Sequence, residues 1–118
     1  MAFGTPGGDV QSQAMLQVFL NIVEFGMNPQ EAVEAPRFAT YNFPNSFSPH
    51  TYYPGLLKAE KRINDDIFRE LNEKRHKIEK WADWAWKSGG VCAIQVDSLT
   101  GLLLGAADPR RESLAMGW

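Results

Sequence analysis

The sequence has very little of the chemistry that builds disulfide or metal sites. It contains one cysteine, Cys92, and two histidines, His50 and His76, among 118 residues. A lone cysteine cannot form an internal disulfide, and its neighbours Val91 and Ala93 favour a small buried strand residue over a reactive thiol. His50 has no second candidate ligand nearby, and no metal site is predicted. No cofactor is implied.

Clustered positive charge and long apolar runs are also missing. The formal net charge is −2, whereas a nucleic-acid surface needs a basic cluster. The most apolar segment is broken by Gln17, Asn21 and Glu24, well short of the roughly twenty apolar residues of a membrane span. We therefore expect neither nucleic acid nor a membrane as a partner. The apolar share of 44% and charged share of 22% are those of a globular domain.

Two helices are predicted in the first part of the chain. From Asp9 to Phe25, apolar residues recur at spacings of three and four, and the apolar face is wide enough to predict burial on most of the helix circumference. Gly26 is a stop signal. Asn28 then begins the capping-box pattern Asn-Pro-Gln-Glu, and Pro36 ends this short second helix.

The middle of the chain is predicted to be a loop, a strand and a helix. Residues 40–54 read TYNFPNSFSPHTYYP, which indicates an irregular loop whose rings hold it to a surface. Its length favours a functional or subfamily-specific role, and His50 within it is interpreted as solvated. A strand over Gly55 to Ile63 and a helix over Asn64 to Arg75, capped by Asn64, follow. The mixed charges of 58–80 indicate a solvated helix face.

The last third predicts a β-hairpin. Its strands cover 91–96 and 102–107, and 97–101 forms the turn. Three tryptophans precede the hairpin, Trp81, Trp84 and Trp86. Core or interface packing is favoured for them over stacking on a ligand. No internal repeat or linker divides the chain.

The stretch FGTPGGDVQSQ, Phe3 to Gln13, places three glycines just before the first helix. Glycine lets a ligand approach the main chain closely, and adjacent N–H groups at a helix start can hold a phosphate, a carboxylate or a developing oxyanion. No Gly-Lys-Ser/Thr follows, and the spacing differs from the dinucleotide fingerprint. By itself the pattern is either a tight structural turn or an anion site.

Longer motifs bear on this choice. FGTPGGD followed by LQVFLNIVEFGMNPQEAVEAPRF, together with the ending GLLLGAADPRRESLAMGW, strongly resembles the later part of the small subunit of the gamma-glutamyltransferase (gamma-glutamyltranspeptidase) family. The motifs occur in the family's order and spacing, and the resemblance covers both ends and most of the middle.

The resemblance implies an α+β fold, a partial αββα sandwich of the N-terminal nucleophile hydrolase type, with residues 1–118 as a single partial domain. Members cleave themselves, and the freed N-terminal threonine attacks a gamma-glutamyl amide with its own amino group as base. The acyl group then passes to water or to an amino acid or peptide. Gly7 and Gly8 match the family's paired glycines, whose main-chain N–H groups form the oxyanion hole.

The family's nucleophile has no match in this sequence. It lies upstream of the glycine motif, with the groups that bind the glutamyl amino and carboxyl ends, and Thr5 occupies the motif's serine position. We therefore expect the chain alone to be inactive. Asp9-Val10-Gln11 replaces Ser-Arg-Ile and suggests a divergent branch. Related members include acylases and other amidohydrolases, and many members are periplasmic or secreted.

Two kinds of partner follow from the missing part. Two or three strands cannot cover such an apolar helix, so we expect an exposed apolar patch, hidden by homo-oligomerisation or by the missing upstream segment. Asp108 and Arg110 of the ending are expected to pair near the surface, and His76 to be an ordinary helix-end residue. The alternative function is an inactive stand-alone oligomer or binding module, in which the glycine turn is only structural.

Overall fold

A computed structural model describes residues 1–117, which form two small sheets with helices packed against them. The strands are β1 (Ala2–Gly4), β2 (Phe38–Thr40), β3 (Leu56–Glu60), β4 (Lys77–Trp81), β5 (Cys92–Val96) and β6 (Leu103–Ala106). The helices are α1 (Gln11–Val23), α2 (Pro29–Glu34) and α3 (Asp65–Glu73), and single 3₁₀ turns cover Gly8–Val10 and Trp86–Ser88. No helix among residues 1–117 has both the length and the apolar character to cross a bilayer.

The first sheet has the order β1-β5-β6 and is antiparallel throughout. Phe3 lies opposite Ala93, which lies opposite Ala106, so these three residues share one face. Helices α1 and α2 pack on that face. There Ala93 and Ala106 join the main core cluster with Val18 of α1. The predicted hairpin of 91–107 is thus confirmed and forms the centre and edge of this sheet.

The opposite face of the first sheet is apolar and exposed. Cys92, Ile94 and Val96 alternate with the residues that face the helices, and Ile94 and Val96 are 45% and 55% exposed. The prediction that Cys92 is buried is wrong, because side chains alternate along a strand and Cys92 lies on this outer face. In a four-layer sandwich a second sheet covers such a face.

Helix α1 begins after a 3₁₀ turn, close to the predicted start, and ends at Val23 before Gly26, whose φ is 68°. The prediction of burial on most of its circumference is wrong. Ala14 and Val18, four residues apart, are buried in the stripe that faces the sheet and α2. The large side chains outside that stripe are exposed: Leu16, Phe19, Leu20 and Val23. Exposed apolar surface is therefore present on α1 as well as on the sheet.

The polar side of α1 binds the edge of the second sheet. Gln13 donates to the carbonyl of Thr40 at 3.1 Å and accepts from the Thr40 N–H at 2.8 Å. One turn later Gln17 makes the same pair of hydrogen bonds with Phe38, at 2.9 and 3.1 Å. The two amides satisfy backbone groups that a further strand would otherwise pair, and they fix α1 against β2.

The predicted capping signals are confirmed. Asn28 accepts from the Glu31 N–H at 2.9 Å, and the Glu31 side chain accepts from the Asn28 N–H at 3.0 Å. This reciprocal pair starts α2, and the helix ends two residues before Pro36. Asn64 caps α3 by accepting from the Asp66 N–H at 2.9 Å.

The second sheet has the order β2-β3-β4, with β2 antiparallel and β4 parallel to β3. Helix α3 connects β3 to β4 and buries Phe68. The prediction of a solvated helix face over residues 58–80 is wrong for the end of that range, because residues 77–81 form strand β4. Its sequence, KIEKW, carries too few apolar residues to reveal a strand, and pairing with β3 decides its conformation.

The three tryptophans have different surroundings. Trp81 is partly buried and packs against the core cluster, as predicted. Trp84 and Trp86 are exposed and do not belong to the core. The ring of Trp84 instead lies 3.6 Å from the Arg62 guanidinium carbon, a cation–π contact.

Candidate active-site groove

The glycine turn has backbone angles that favour glycine. Gly7 has φ 143° and Gly8 has φ 56°, both in the positive region that side chains rarely adopt. The Gly7 carbonyl accepts from the Val10 N–H at 3.2 Å, which leads the chain into α1. Among residues 1–117 the N–H groups of Gly7 and Gly8 have no hydrogen-bond acceptor. The turn therefore presents two adjacent unpaired donors.

Both glycines line an open groove of about 790 Å³. Its other walls are the first turn of α1, the aromatic loop (residues 41–55), and a third wall with Trp86, Lys87 and Arg111. A groove of this size is within the range of small-molecule sites. The aromatic loop, which the sequence only marked as long, thus forms a wall beside the glycine turn.

The aromatic loop is held by a carboxylate as well as by one of its rings. Asp9 accepts hydrogen bonds from the Ser46 hydroxyl and, at 2.8 Å, from the Ser46 N–H. The hydroxyl bond is the largest cause that lowers the pKa of Asp9 below its usual value, and the N–H bond adds to it. The prediction that rings hold this loop to a surface is confirmed for Tyr41, which packs against the core cluster, whereas Phe43 and Phe47 are exposed. His50 is exposed, as predicted.

A buried segment supports the glycine turn from behind. The Thr5 hydroxyl donates to the Pro6 carbonyl and accepts from the Gly90 N–H, both at 2.8 Å. Gly89 has φ 92°, and a Cβ there would lie 2.9 Å from the Thr5 hydroxyl. A Cβ on Gly7 would lie 3.7 Å from the Gly89 Cα. Residues 88–90 therefore pack directly against the turn, and the Thr5 hydroxyl is already bonded to the main chain.

A buried ion network lies next to this segment and was only partly predicted. Asp108 and Arg110 do pair, at 3.1 Å, but both are buried, so their predicted place near the surface is wrong. Two further buried charges explain the difference: Arg37 pairs with Asp108, and Glu60 pairs with Arg110 at 2.6 Å. Glu60 ends a short strand, and no feature of the sequence distinguishes it from a surface glutamate.

The network binds main-chain groups as well as charges. Arg37 donates to the Ser88 carbonyl at 3.0 Å, and the Ser88 hydroxyl donates to Glu60 at 3.2 Å. Arg110 donates to the carbonyl of Val33 at 2.7 Å. These bonds fix the residues just before Gly89 relative to α2. The network thereby positions the segment that supports the glycine turn.

We expect acid to destabilise the chain through Glu60. Burial raises the pKa of Glu60, but the hydrogen bonds and charge of Arg110, with N–H groups of Arg37 and Ala85, outweigh it and hold the pKa below its usual 4.5. Glu60 therefore stabilises the fold above pH 4.5, and this contribution is lost as the pH falls through the lower folded-state value. Urea unfolding between pH 7 and pH 3 measures the slope. A Glu60→Gln variant should show a shallower loss over that interval, and an identical slope would contradict the assignment.

Residues 1–117 contain no group of three histidine, cysteine or carboxylate side chains arranged to hold a metal ion. The polar groups that line the groove include the main chain of Gly7 and Gly8 and the charged side chains of Asp9, Lys87 and Arg111. Such a set can bind an anion or a developing negative charge.

Comparison with known proteins decides the family. The family described as Gamma-glutamyltranspeptidase matches residues 1–118. The chain belongs to this gamma-glutamyltranspeptidase family. The resemblance in the glycine motif and the ending is therefore confirmed over the whole sequence.

Two relatives of this gamma-glutamyltranspeptidase-family chain are described as glutathione hydrolase or glutathione hydrolase-like proenzymes. A glutathione hydrolase proenzyme of Pseudomonas sp. (strain A14) is 50% identical over 130 residues, covering 100% of this chain and 20% of its own length. A glutathione hydrolase-like proenzyme, YwrD, of Bacillus subtilis (strain 168) is 32% identical over 115 residues, covering 98% of this chain and 21% of its own length. This chain thus spans about a fifth of the length of these relatives.

The solved structures agree on the fold. A cephalosporin acylase from Bacillus halodurans superimposes with a TM-score of 0.82 at 31% identity, over 98% of this chain and 19% of that one. The α+β arrangement is therefore part of the N-terminal nucleophile hydrolase sandwich of gamma-glutamyltranspeptidases and acylases, as the resemblance implied. In that architecture a second sheet packs on the outer face of the first sheet, which is the face that is exposed in this chain.

Proposed function

We propose that this chain acts as a single partial domain of a gamma-glutamyltranspeptidase-like enzyme and supplies Gly7 and Gly8 to the oxyanion hole. The reaction is hydrolysis or acyl transfer of a gamma-glutamyl amide, with an N-terminal threonine on the segment that precedes this region in the relatives. The observation that carries the proposal is the pair of unpaired N–H groups on the two glycines that line the groove. Donors already oriented toward a developing oxyanion stabilise it without reorganisation.

Two further observations support this role for the glycine turn. The turn is held rigidly, because residues 88–90 and the ion network support it from behind. Apolar surface on α1 and on the first sheet is exposed, as expected where a companion segment docks. We propose that the upstream segment covers these surfaces and brings the nucleophile to the groove.

A second candidate function is favoured by the same exposed surfaces. If they pair two copies of this chain, the protein is a homo-oligomer or binding module without catalysis, and the glycine turn is structural. Light scattering after size-exclusion chromatography at high dilution separates the cases. A stable oligomer that does not dissociate when the upstream segment is added favours this candidate.

The test of the leading proposal is complementation. We expect no hydrolysis of gamma-glutamyl-4-nitroanilide by the chain alone. Activity is expected when the chain is co-expressed with the preceding part of the 50%-identical Pseudomonas relative. Co-expression with that part carrying alanine at its nucleophilic threonine is the control. A purified, folded complex that stays inactive would overturn the proposal.

A further inference from the structure

We propose that the groove binds the amine side of the scissile amide, and that Arg111 binds a carboxylate there while the aromatic loop contacts an aromatic ring. The ligand class is an amide-linked aromatic amino acid or peptide, as leaving group or as acceptor. This inference rests on the proposed function, because it takes the glutamyl side to be bound by the upstream segment.

Arg111 differs sharply from the arginine before it. Arg110 is buried and bonded to Glu60 and Asp108. Arg111 has no carboxylate within 4.0 Å among the residues that the structure describes, and its Nε is buried without a hydrogen-bond partner. Its one contact to the main chain is a long one, from Nη2 to the Trp86 carbonyl at 3.4 Å. A cation in this state is available to an anionic ligand.

The Arg111 side chain is nevertheless held in place. A Cβ on Gly90 would lie 2.5 Å from the Arg111 Cδ, so the arginine stem packs directly on that glycine. Its guanidinium carbon lies 5.5 Å from the centre of the Trp86 ring. Gly90 also donates to Thr5 beside the glycine turn. Arg111 is thus a positioned cation in the same groove wall that adjoins Gly7 and Gly8.

The charge of the groove complements a carboxylate. Its charged side chains are Lys87, Arg111 and Asp9, and Asp9 is already bonded to Ser46. Two cations therefore remain for a ligand. They lie in one wall, so an anionic group is expected at that wall and not at the Asp9 side.

The aromatic loop supplies the apolar part of the site. Phe47 is 66% exposed, and a Cβ on Gly8 would lie 3.2 Å from its ring. Phe43 and Tyr53 line the same groove and are also exposed. Exposed rings in the same groove as two positive charges match a ligand that carries one ring and one carboxylate.

The experiment is a titration of the ¹⁵N-labelled 118-residue chain with three matched probes, followed through its amide and indole signals. N-acetylphenylalanine carries the amide, the ring and the carboxylate. N-(2-phenylethyl)acetamide lacks the carboxylate, and N-acetylalanine lacks the ring. We expect N-acetylphenylalanine to bind about fivefold or more tightly than either, with shifts at Gly8 and Trp86. Equal affinities for all three, or no binding, would overturn the proposal.

Substitutions at Arg111 and Phe47 test which side chain binds the carboxylate and which contacts the ring. Arg111→Gln should remove the preference for the carboxylate probe, and Arg111→Lys should retain part of it. Phe47→Ser should reduce the preference for the ring. Arg69→Gln, on exposed α3, is the matched control and should change nothing. A carboxylate preference that persists in Arg111→Gln would refute the role of Arg111.

Binding needs no nucleophile, so the two proposals can fail separately. If complementation gives no activity but the probe preferences hold, the groove is a binding site without the proposed catalysis. If complementation succeeds and the preferences are absent, the chain has the proposed function and the carboxylate subsite is wrong.

Discussion

Replacing Glu60 with glutamine is expected to lower the free energy of unfolding by about 3–5 kcal/mol. The side chain is fully buried and accepts from six donors, in the side chains of Arg62, Arg110 and Ser88 and the main chain of Arg37 and Ala85. Glutamine has nearly the same shape, but one accepting oxygen becomes a donating NH₂. Several donors then lose their acceptor, and within residues 1–117 Asp108 is the one buried counter-charge left to Arg37 and Arg110.

The size of this effect follows from burial. Since a domain is stable by only about 5–15 kcal/mol, such a loss leaves much of the chain unfolded at moderate urea concentrations. Urea denaturation followed by circular dichroism measures it. The matched control is Glu79→Gln, which removes an ion pair with Lys58 at 2.6 Å on the surface and should cost no more than about 1 kcal/mol. Equal losses for the two variants would show that the buried network does not stabilise the fold as described.

Replacing Gly8 with proline is expected to lower kcat of the complemented enzyme by about 10²- to 10³-fold with little change in KM. Proline has no N–H, so one of the two proposed oxyanion donors is lost, and because its ring fixes φ at about −65° the turn at Gly8, with φ 56°, must change as well. A donor to a developing oxyanion acts mainly in the transition state, which is why kcat carries the loss. Steady-state kinetics with gamma-glutamyl-4-nitroanilide, normalised to folded protein, gives the value.

Two alanine variants measure how much of the loss comes from a side chain at a positive φ when the N–H is kept. Gly8→Ala keeps the N–H but places a Cβ 3.2 Å from the Phe47 ring at φ 56°, so a smaller fall in kcat is expected. Gly101→Ala introduces strain at φ 74° in the hairpin turn, where a Cβ has open space, and should leave kcat unchanged. If Gly8→Ala and Gly8→Pro reduce kcat equally, the N–H of Gly8 is not the stabilising group.

Local patterns predicted the elements that depend on neighbouring residues. Asn28 and Glu31 cap α2 as their spacing indicated, because a capping box needs only four consecutive residues. The hairpin of 91–107 follows from alternation and its turn. Strand β4 was not predicted, because its pairing partner β3 lies about twenty residues earlier in the chain. For the same reason a local pattern could not show which faces of α1 are covered.

The residues of the candidate site also divide into those that a local motif identifies and those that it does not. Gly7 and Gly8 could be found because the motif around them is continuous in sequence. Glu60 and Arg111 could not, because their roles come mainly from contacts with residues distant in the chain, up to 50 positions away for Glu60 and 25 for Arg111. In the sequence a buried glutamate cannot be distinguished from a surface glutamate. Only the fold shows that three arginines surround Glu60.

The sequence by itself determined the family, the positions of most helices and strands, and the glycine turn, since each is encoded by short-range spacing. The tertiary structure alone decided that Asp108 and Arg110 are buried and that Asp9 holds the aromatic loop. It also decided that Arg110 pairs with Glu60 and Asp108, whereas Arg111 has no carboxylate partner within residues 1–117. Those outcomes depend on which charged residues, far apart in the sequence, come together in the fold. In the buried interior the free energy of a charge depends on its partners.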